Sequence, residues 1–209
     1  MSKFIYLASQ SPRRSQLLAQ LGVHHELLLP DADEDAEALE AVLPNEAPTA
    51  YVKRVTQLKL DAALQRLKRR GLPPAPVLCS DTTVALGRRI FGKPADAADA
   101  VRMLKELSNT THRVLTAVAL GTARQREQVL CASRVTFAAL SAGQIQAYVA
   151  SGEPLGKAGA YAVQGRAAAL IAHMSGSYSG IMGLPMFETA KLLQSFGMDV
   201  SLRDSPKRA

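Results

Sequence analysis

From Leu7 to Leu18 the chain reads LASQSPRRSQLL, and few local structures can accommodate that stretch. A short apolar strand, Phe4 to Leu7, turns through Ala8, Ser9 and Gln10, and a helix starts abruptly after it. Ser11 is a suitable N-cap whose hydroxyl can accept from a free amide, and Pro12 falls at N1, where a missing N–H costs nothing. Arg13 and Arg14 then occupy the first turn, the wrong end for a cation, because a helix N-terminus already carries partial positive charge. Two arginines beside free amides and two serine hydroxyls are stabilised when an anion meets them, so the turn suits a phosphate chain. An ordinary capped helix with two solvated arginines is the other reading of the same residues.

Composition narrows the class. With 209 residues, 47% hydrophobic and 21% charged, the chain can bury a core without staples. No run of eighteen apolar residues occurs and no basic segment leads into an apolar one at the N-terminus, so a cytoplasmic protein off the membrane is expected. Cys79 and Cys131 sit in apolar segments without CxxC spacing and read as buried small hydrophobes. The formal charge of +7 is unevenly spread. Glu26 to Val52 contains acids, Asp31, Asp33, Glu34 and Asp35 among them, but no Lys or Arg. The rest is strongly basic, with Arg66, Lys68, Arg69 and Arg70 ending a helix and Arg203, Lys207 and Arg208 in the tail. Such a field attracts nucleic acid or a small polyanion. Basic residues at a helix end also complement its dipole, which is the simpler reading of residues 66 to 70.

Along the chain, His25 to Leu29 reads as a second strand, and residues 30 to 47 as an acidic, mostly solvated loop in which one carboxylate turns inward toward a metal. Tyr51, Val52, Val55, Leu58, Ala62, Ala63 and Leu67 recur at helical spacing and predict an amphipathic helix over Thr49 to Arg70, with Lys59 beside the apolar stripe. Val77 to Leu86, VLCSDTTVAL, is a β-rich run with one acid, Asp81, at its centre. An acid there is expensive to bury unless paired or metal-bound, which makes it a stronger site candidate than any in the acidic loop. A hairpin follows, closed by Gly92, Lys93 and Pro94, and Asp96 opens a helix to about Leu107. Strands are predicted over His112 to Leu120, Val129 to Leu140 and Ala167 to Met174, with a helix capped by Ser141 and ending near Ala150. A Gly-rich segment spans 151 to 165, a loop spans Ser175 to Gly183, and a closing helix stops at Gly197. The alternation predicts a mixed, twisted α/β sheet flanked by helices.

Four stretches share polar residues set among small ones: SQSPRR, SDTTVAL with FGKP, KAGAYAVQG, and SGSYSGIMGLP. In this order and at these separations they resemble the Maf family of nucleotide pyrophosphatases, from Leu7 to about Gly197. The resemblance implies a single domain over residues 1–209, Maf/inosine triphosphatase-like, with two lobes around a central cleft and a basic tail from about residue 198. It also implies hydrolysis of a nucleoside triphosphate to monophosphate and pyrophosphate, a divalent cation (Mg²⁺ or Mn²⁺) and a homodimer. KAGAYAVQG looks like the branch acting on dTTP and UTP, whereas the branch preferring 7-methyl-GTP has glutamate in the position of Gln164. Arg13, Thr82 and Gln164 match positions that set specificity, and Asp81 matches the catalytic carboxylate.

Chemistry distributes the roles. Charge that develops on departing oxygens needs cations, for which Arg13, Arg14, Lys59 and Lys93 are candidates, with Ser9, Ser11 and the helix N-terminus as neutral donors. Asp81 and Glu34 are the candidate metal ligands, and Asp81 either holds the metal, deprotonates the water, or does both. The Gln164 amide can donate to O4 and accept from N3–H of uracil or thymine, a match that cytosine cannot make. Two departures stand out: Ser80 replaces the usual Ala before Asp81, and Gly156 replaces the usual Asp before Lys157. The alternative reading is a non-catalytic nucleotide- or nucleic-acid-binding regulator linked to cell division, although no Trp and only 5% aromatic residues leave little for base stacking along a strand.

Overall fold

The computed structural model describes residues 4–32, 34–35, 38–198 and 200; Asp33, Arg203, Lys207 and Arg208, singled out above, lie outside them. The apolar opening strand β1 (Ile5–Leu7) pairs in parallel with β2 (His25–Leu27) on one side and β3 (Val77–Leu86) on the other. The chain then builds outward in antiparallel fashion through β5 (Thr111–Gly121), β6 (Arg126–Phe137) and β7 (Ile171–Ser175), while β4 (Arg89–Phe91) folds back on β3 as a hairpin. The mixed sheet has the order β2-β1-β3-β5-β6-β7, in keeping with the predicted class.

Helices cover both faces. On one, α2 (Pro48–Arg69) lays Tyr51, Val52 and Val55 on Leu115 and Ala117, and Leu60, Ala63 and Leu67 on Tyr6, Val77 and Cys79. Leu60 takes the core place expected of Leu58, which is exposed. On the other face, α1 (Pro12–Gln20) and α6 (Met186–Ser195) pack Leu17, Leu18, Leu192 and Leu193 against Ile5, Leu7, Leu78, Val118 and Leu120. A second core fills the far end of the long strands, where α3 (Ala97–Leu107) and α4 (Ala142–Ala150) close over Val84, Phe91, Val135 and Phe137. Asp96 and Ser141 cap these two helices as expected, Asp96 Oδ1 accepting from Asp99 N at 2.7 Å and Ser141 forming a capping box with Gln144. Cys79 and Cys131 are buried free thiols, and burial pushes the Cys79 pKa up to about 12.

Several boundaries shift for identifiable reasons. β2 stops at Leu27 because the carbonyls of Leu28 and Leu29 are taken by Arg66 and Arg70. β6 runs from Arg126 to Phe137 rather than from Val129 to Leu140: Gly121 pairs with Arg126, leaving a tight turn closed by Thr122 N donating to Gln125 O. The predicted strand Ala167 to Met174 begins as a 3-10 turn, Arg166–Leu170, whose first amides are drawn to Glu153, so β7 forms only from Ile171. The loop from Ser175 to Gly183 contains a short helix, α5 (Tyr178–Met182), capped by the Ser177 hydroxyl.

The cleft follows from strand pairing. β5 pairs with β3 along its length, from Val77 to Ala85, on one edge. On the other edge β1 pairs only with Val77 and Leu78, and β4 only with Val84 to Leu86. Between them β3 has an open edge at residues 79–83, with Asp81 at its centre. β1 ends at the same place, so the N-terminus of α1 faces the gap.

Candidate active site

Around this gap lies a cleft of about 750 Å³, and the ten candidate side chains named from the sequence all line it. At the start of α1 the cap differs from expectation. Ser11 makes no side-chain cap; the buried Ser9 hydroxyl accepts from Ser11 N at 3.2 Å instead. Ser9 Oγ also accepts from Arg14 Nη1 at 3.1 Å, so it joins the helix start to the arginine. Arg14 Nε donates to Gly183 O at 2.9 Å, and Arg13 Nε to Met182 O at 3.4 Å. The two arginines thus brace the end of α5 across the cleft while their positive charge stays at its floor. Burial pushes both pKa values down, and for Arg14 nearby Asp81 pushes back; a guanidinium remains charged throughout.

Successive residues of a strand face opposite sides of a sheet, so β3 delivers two different groups to one gap. Thr82 faces α1 and α5. Its Oγ1 lies 3.0 Å from Thr116 Oγ1, and Thr116 donates its one proton to Gly180 O at 2.7 Å, so Thr82 must donate to Thr116, while its own oxygen accepts from Arg14 Nη2 at 3.5 Å. Asp81 faces α2. There Lys59, beside the apolar stripe of α2, turns inward: its Nζ is 2.5 Å from Asp81 Oδ1 and 2.7 Å from Glu40 Oε1. Burial pushes the Lys59 pKa down, and the two carboxylates more than offset it. Lys93, just beyond β4, reaches Glu40 Oε2 at 3.3 Å. Burial likewise pushes the Glu40 pKa up, and Lys59 and Lys93 hold it below the ordinary value.

Glu40 was not singled out from the sequence, and Glu34, which was, lines the cleft without joining this group. The Glu34 carboxylate lies on Arg66, with Nη2 at 2.5 Å and Nε at 2.9 Å, and on Arg69 at 2.5 Å; the Arg66 hydrogen bond leads in lowering its pKa to about 2. Arg69 and Arg70 also hold Asp31. Further along, Tyr51 Oη donates to Glu40 O at 2.9 Å, and Arg54 forks onto Glu46 with two bonds of 2.7 Å. The acidic segment, largely exposed as expected, is strapped along α2 by arginines, and the basic end of α2 grips a partner in addition to complementing its own dipole.

Lys157 and Gln164 of the Gly-rich segment also line the cleft. Gly156 has φ +71, so an aspartate there would be strained; glycine suits this backbone. Gln164 is exposed, lines the cleft and makes no hydrogen bond to any described residue.

The profile of the family described as Maf-like protein matches residues 4–196. A protein of Albidiferax ferrireducens described as a dTTP/UTP pyrophosphatase is 90% identical over 96% of this chain and 100% of its own. Proteins given the same description from Polaromonas sp. and Cupriavidus metallidurans are 68% and 64% identical, covering 94% and 95% of this chain and 98% and 99% of theirs.

Proposed function

The chain belongs to the Maf-like protein family, and on that premise we propose that it hydrolyses dTTP and UTP to the monophosphate and pyrophosphate. One observation carries the reading: at the open edge of β3, Asp81 with its lysine partner from one face of the sheet and the α1 arginines from the other line a single cleft that Gln164 also lines. Cations around a helix N-terminus suit a phosphate chain. Gln164 offers uracil or thymine a donor for O4 and an acceptor for N3–H, and cytosine mispairs at both.

In the reaction, water attacks the α phosphorus while the bond to the bridging oxygen breaks and pyrophosphate leaves with the electron pair. Asp81 orients the water and takes its proton, and Lys59 fixes the direction of that carboxylate. Arg13, Arg14 and Lys93, with Ser9, Ser11 and the free amides of α1, stabilise the departing oxygens. Thr82, its proton committed to Thr116, meets the nucleotide as an acceptor.

Asp81 and Glu40 are the residues that would hold Mg²⁺ or Mn²⁺. Two carboxylates completed by phosphate oxygens and water make a hard-oxygen donor set that fits either ion, which would supply positive charge at the phosphates. Glu34, saturated by arginines, is a strut of the acidic strap. Glu40→Gln is accordingly expected to weaken Mn²⁺ binding, read by electron paramagnetic resonance titration, by about tenfold or more. Glu34→Gln should leave that affinity unchanged and lower the melting temperature instead.

The reading includes a cytoplasmic homodimer, supported by the family resemblance and testable by sedimentation equilibrium. Among the described residues no helix is long and apolar enough to cross a membrane. The deciding experiment is product analysis with dTTP, UTP, CTP, GTP and 7-methyl-GTP offered separately with Mn²⁺. Monophosphate and pyrophosphate from dTTP and UTP are the expected result. Preferential turnover of 7-methyl-GTP would overturn the role given to Gln164, and nucleotide binding without turnover would favour a regulator.

A further inference from the structure

Because the Gln164 side chain has no hydrogen-bond partner among the described residues, its aim depends on the backbone that carries it. That backbone is gripped on both sides of Gln164 by two residues that do not line the cleft. Tyr148, buried on α4, accepts at its hydroxyl from Ala162 N at 3.3 Å and donates to Glu153 Oε1 at 2.9 Å. Glu153 Oε2 accepts from Arg166 N at 2.9 Å, and Oε1 from Ala167 N at 3.4 Å. Between these anchors Gly165 N donates to Ala162 O at 3.0 Å, closing the turn that displays Gln164. The anchors fall two residues before and two after the glutamine.

The fit leaves no slack at Gly165. A Cβ at that position would lie 2.4 Å from both Glu153 carboxylate oxygens, which are fixed by the bonds just described. Burial pushes the Glu153 pKa up, and the amides of Arg166 and Ala167 with the Tyr148 hydroxyl more than reverse it, so the clamp is ionised at neutral pH.

We propose that Tyr148 and Glu153 form a clamp that sets the position of Gln164, and through it the preference for uracil and thymine nucleotides over cytosine ones. The inference rests on the role given to Gln164 above. Neither residue touches substrate, so both are positioning residues. A side chain that must meet O4 and N3–H together is sensitive to small displacement, and losing one matched pair costs roughly five- to 150-fold. The chemical step, at Asp81 on β3, does not use the clamp, whose residues do not line the cleft.

The test compares kcat and KM for UTP and CTP in the full-length enzyme and in Tyr148→Phe, Glu153→Gln, the double variant and Gln164→Ala. Tyr148→Phe removes one hydroxyl from a packed ring, and Glu153→Gln sets an amide NH₂ against backbone donors. In each single variant the UTP/CTP ratio of kcat/KM should fall about tenfold, through a higher KM for UTP with kcat nearly constant. The double variant should lose little more than either single one, because the two residues act as a unit. An unchanged ratio, or an equal loss of kcat on both nucleotides, would overturn the clamp. If Glu153→Gln does not fold, Tyr148→Phe decides alone. Gln164→Ala separates the two levels of the argument. If it retains the wild-type preference, the reading of Gln164 fails and takes the clamp with it. If it loses the preference while both clamp variants keep it, only the clamp fails.

Discussion

Asp81→Asn is expected to lower kcat/KM for UTP by about 10³-fold without unfolding the protein. The change preserves volume and one acceptor oxygen for Lys59, and removes only the negative charge and the capacity to take a proton. Removing one partner of a buried ion pair ordinarily costs about 3 to 5 kcal/mol, because the other charge is left without compensation. Here Lys59 keeps Glu40 at 2.7 Å, so its ammonium remains paired and the thermal midpoint should move by only a few degrees. Turnover measured beside a thermal melt separates the two effects. A loss of only a few-fold in kcat/KM would remove Asp81 from the chemical step, and a collapse of the melt would make the substitution uninformative about chemistry, leaving Asp81→Glu, which keeps the charge and displaces it, as the variant to assay.

Acid should destabilise the protein in two successive, overlapping windows, and the upper one belongs to His112. This residue is buried on β5, with Nε2 2.8 Å from Tyr161 Oη and Nδ1 without a partner among the described residues. Phe137 and Tyr161 pack against its ring. Charging the imidazole would add a buried proton with no acceptor, and burial pushes its pKa from 6.5 down to about 4. The fold therefore favours the neutral form. Stability is complete above pH 6.5, declines as the unfolded chain gains a proton, and by pH 4 has fallen by about 3 kcal/mol. Glu34 acts lower: with its pKa at about 2 against an ordinary 4.5, its contribution is present above 4.5 and lost below it. Urea denaturation at pH 7.5, 5.5 and 4.5 should show the midpoint falling before the carboxylates titrate. In His112→Gln, which cannot titrate, the fall between 6.5 and 4.5 should be largely absent. A full decline retained in that variant would assign the effect to other groups.

Legibility in the sequence followed the range of the interaction concerned. Asp81 stood out because a carboxylate centred in an apolar strand has few reasons to be there, and a local argument sufficed. Lys59 was legible as a cation beside the apolar stripe of its helix, and Asp81 and Glu40 decided where its ammonium lies. The choice between Glu34 and Glu40 could not be read locally: both sit in a segment of alternating alanines and acids without a period, and the arginine face of α2 sorts them. Ser11 was a sound N-cap by type, yet Ser9, two residues earlier, sits where its hydroxyl serves both the helix start and Arg14. The alanines from 167 to 169 suited either state, and a carboxylate fourteen residues upstream drew the backbone into a turn. The gap in β3 was invisible for a stronger reason, since it is a property of three strand pairings together and of no single segment.

That gap also governs how the protein can move. β3 and β5 remain paired residue for residue from Val77 to Ala85 behind the cleft, so its surroundings are built on one unbroken two-stranded spine. Opening the cleft by a hinge would require bending that ladder where its hydrogen bonds are most continuous. Motion is left to what crosses the front, namely the acidic strap on α2 and the glycine-rich rim, and a nucleotide is selected against a back wall that does not yield.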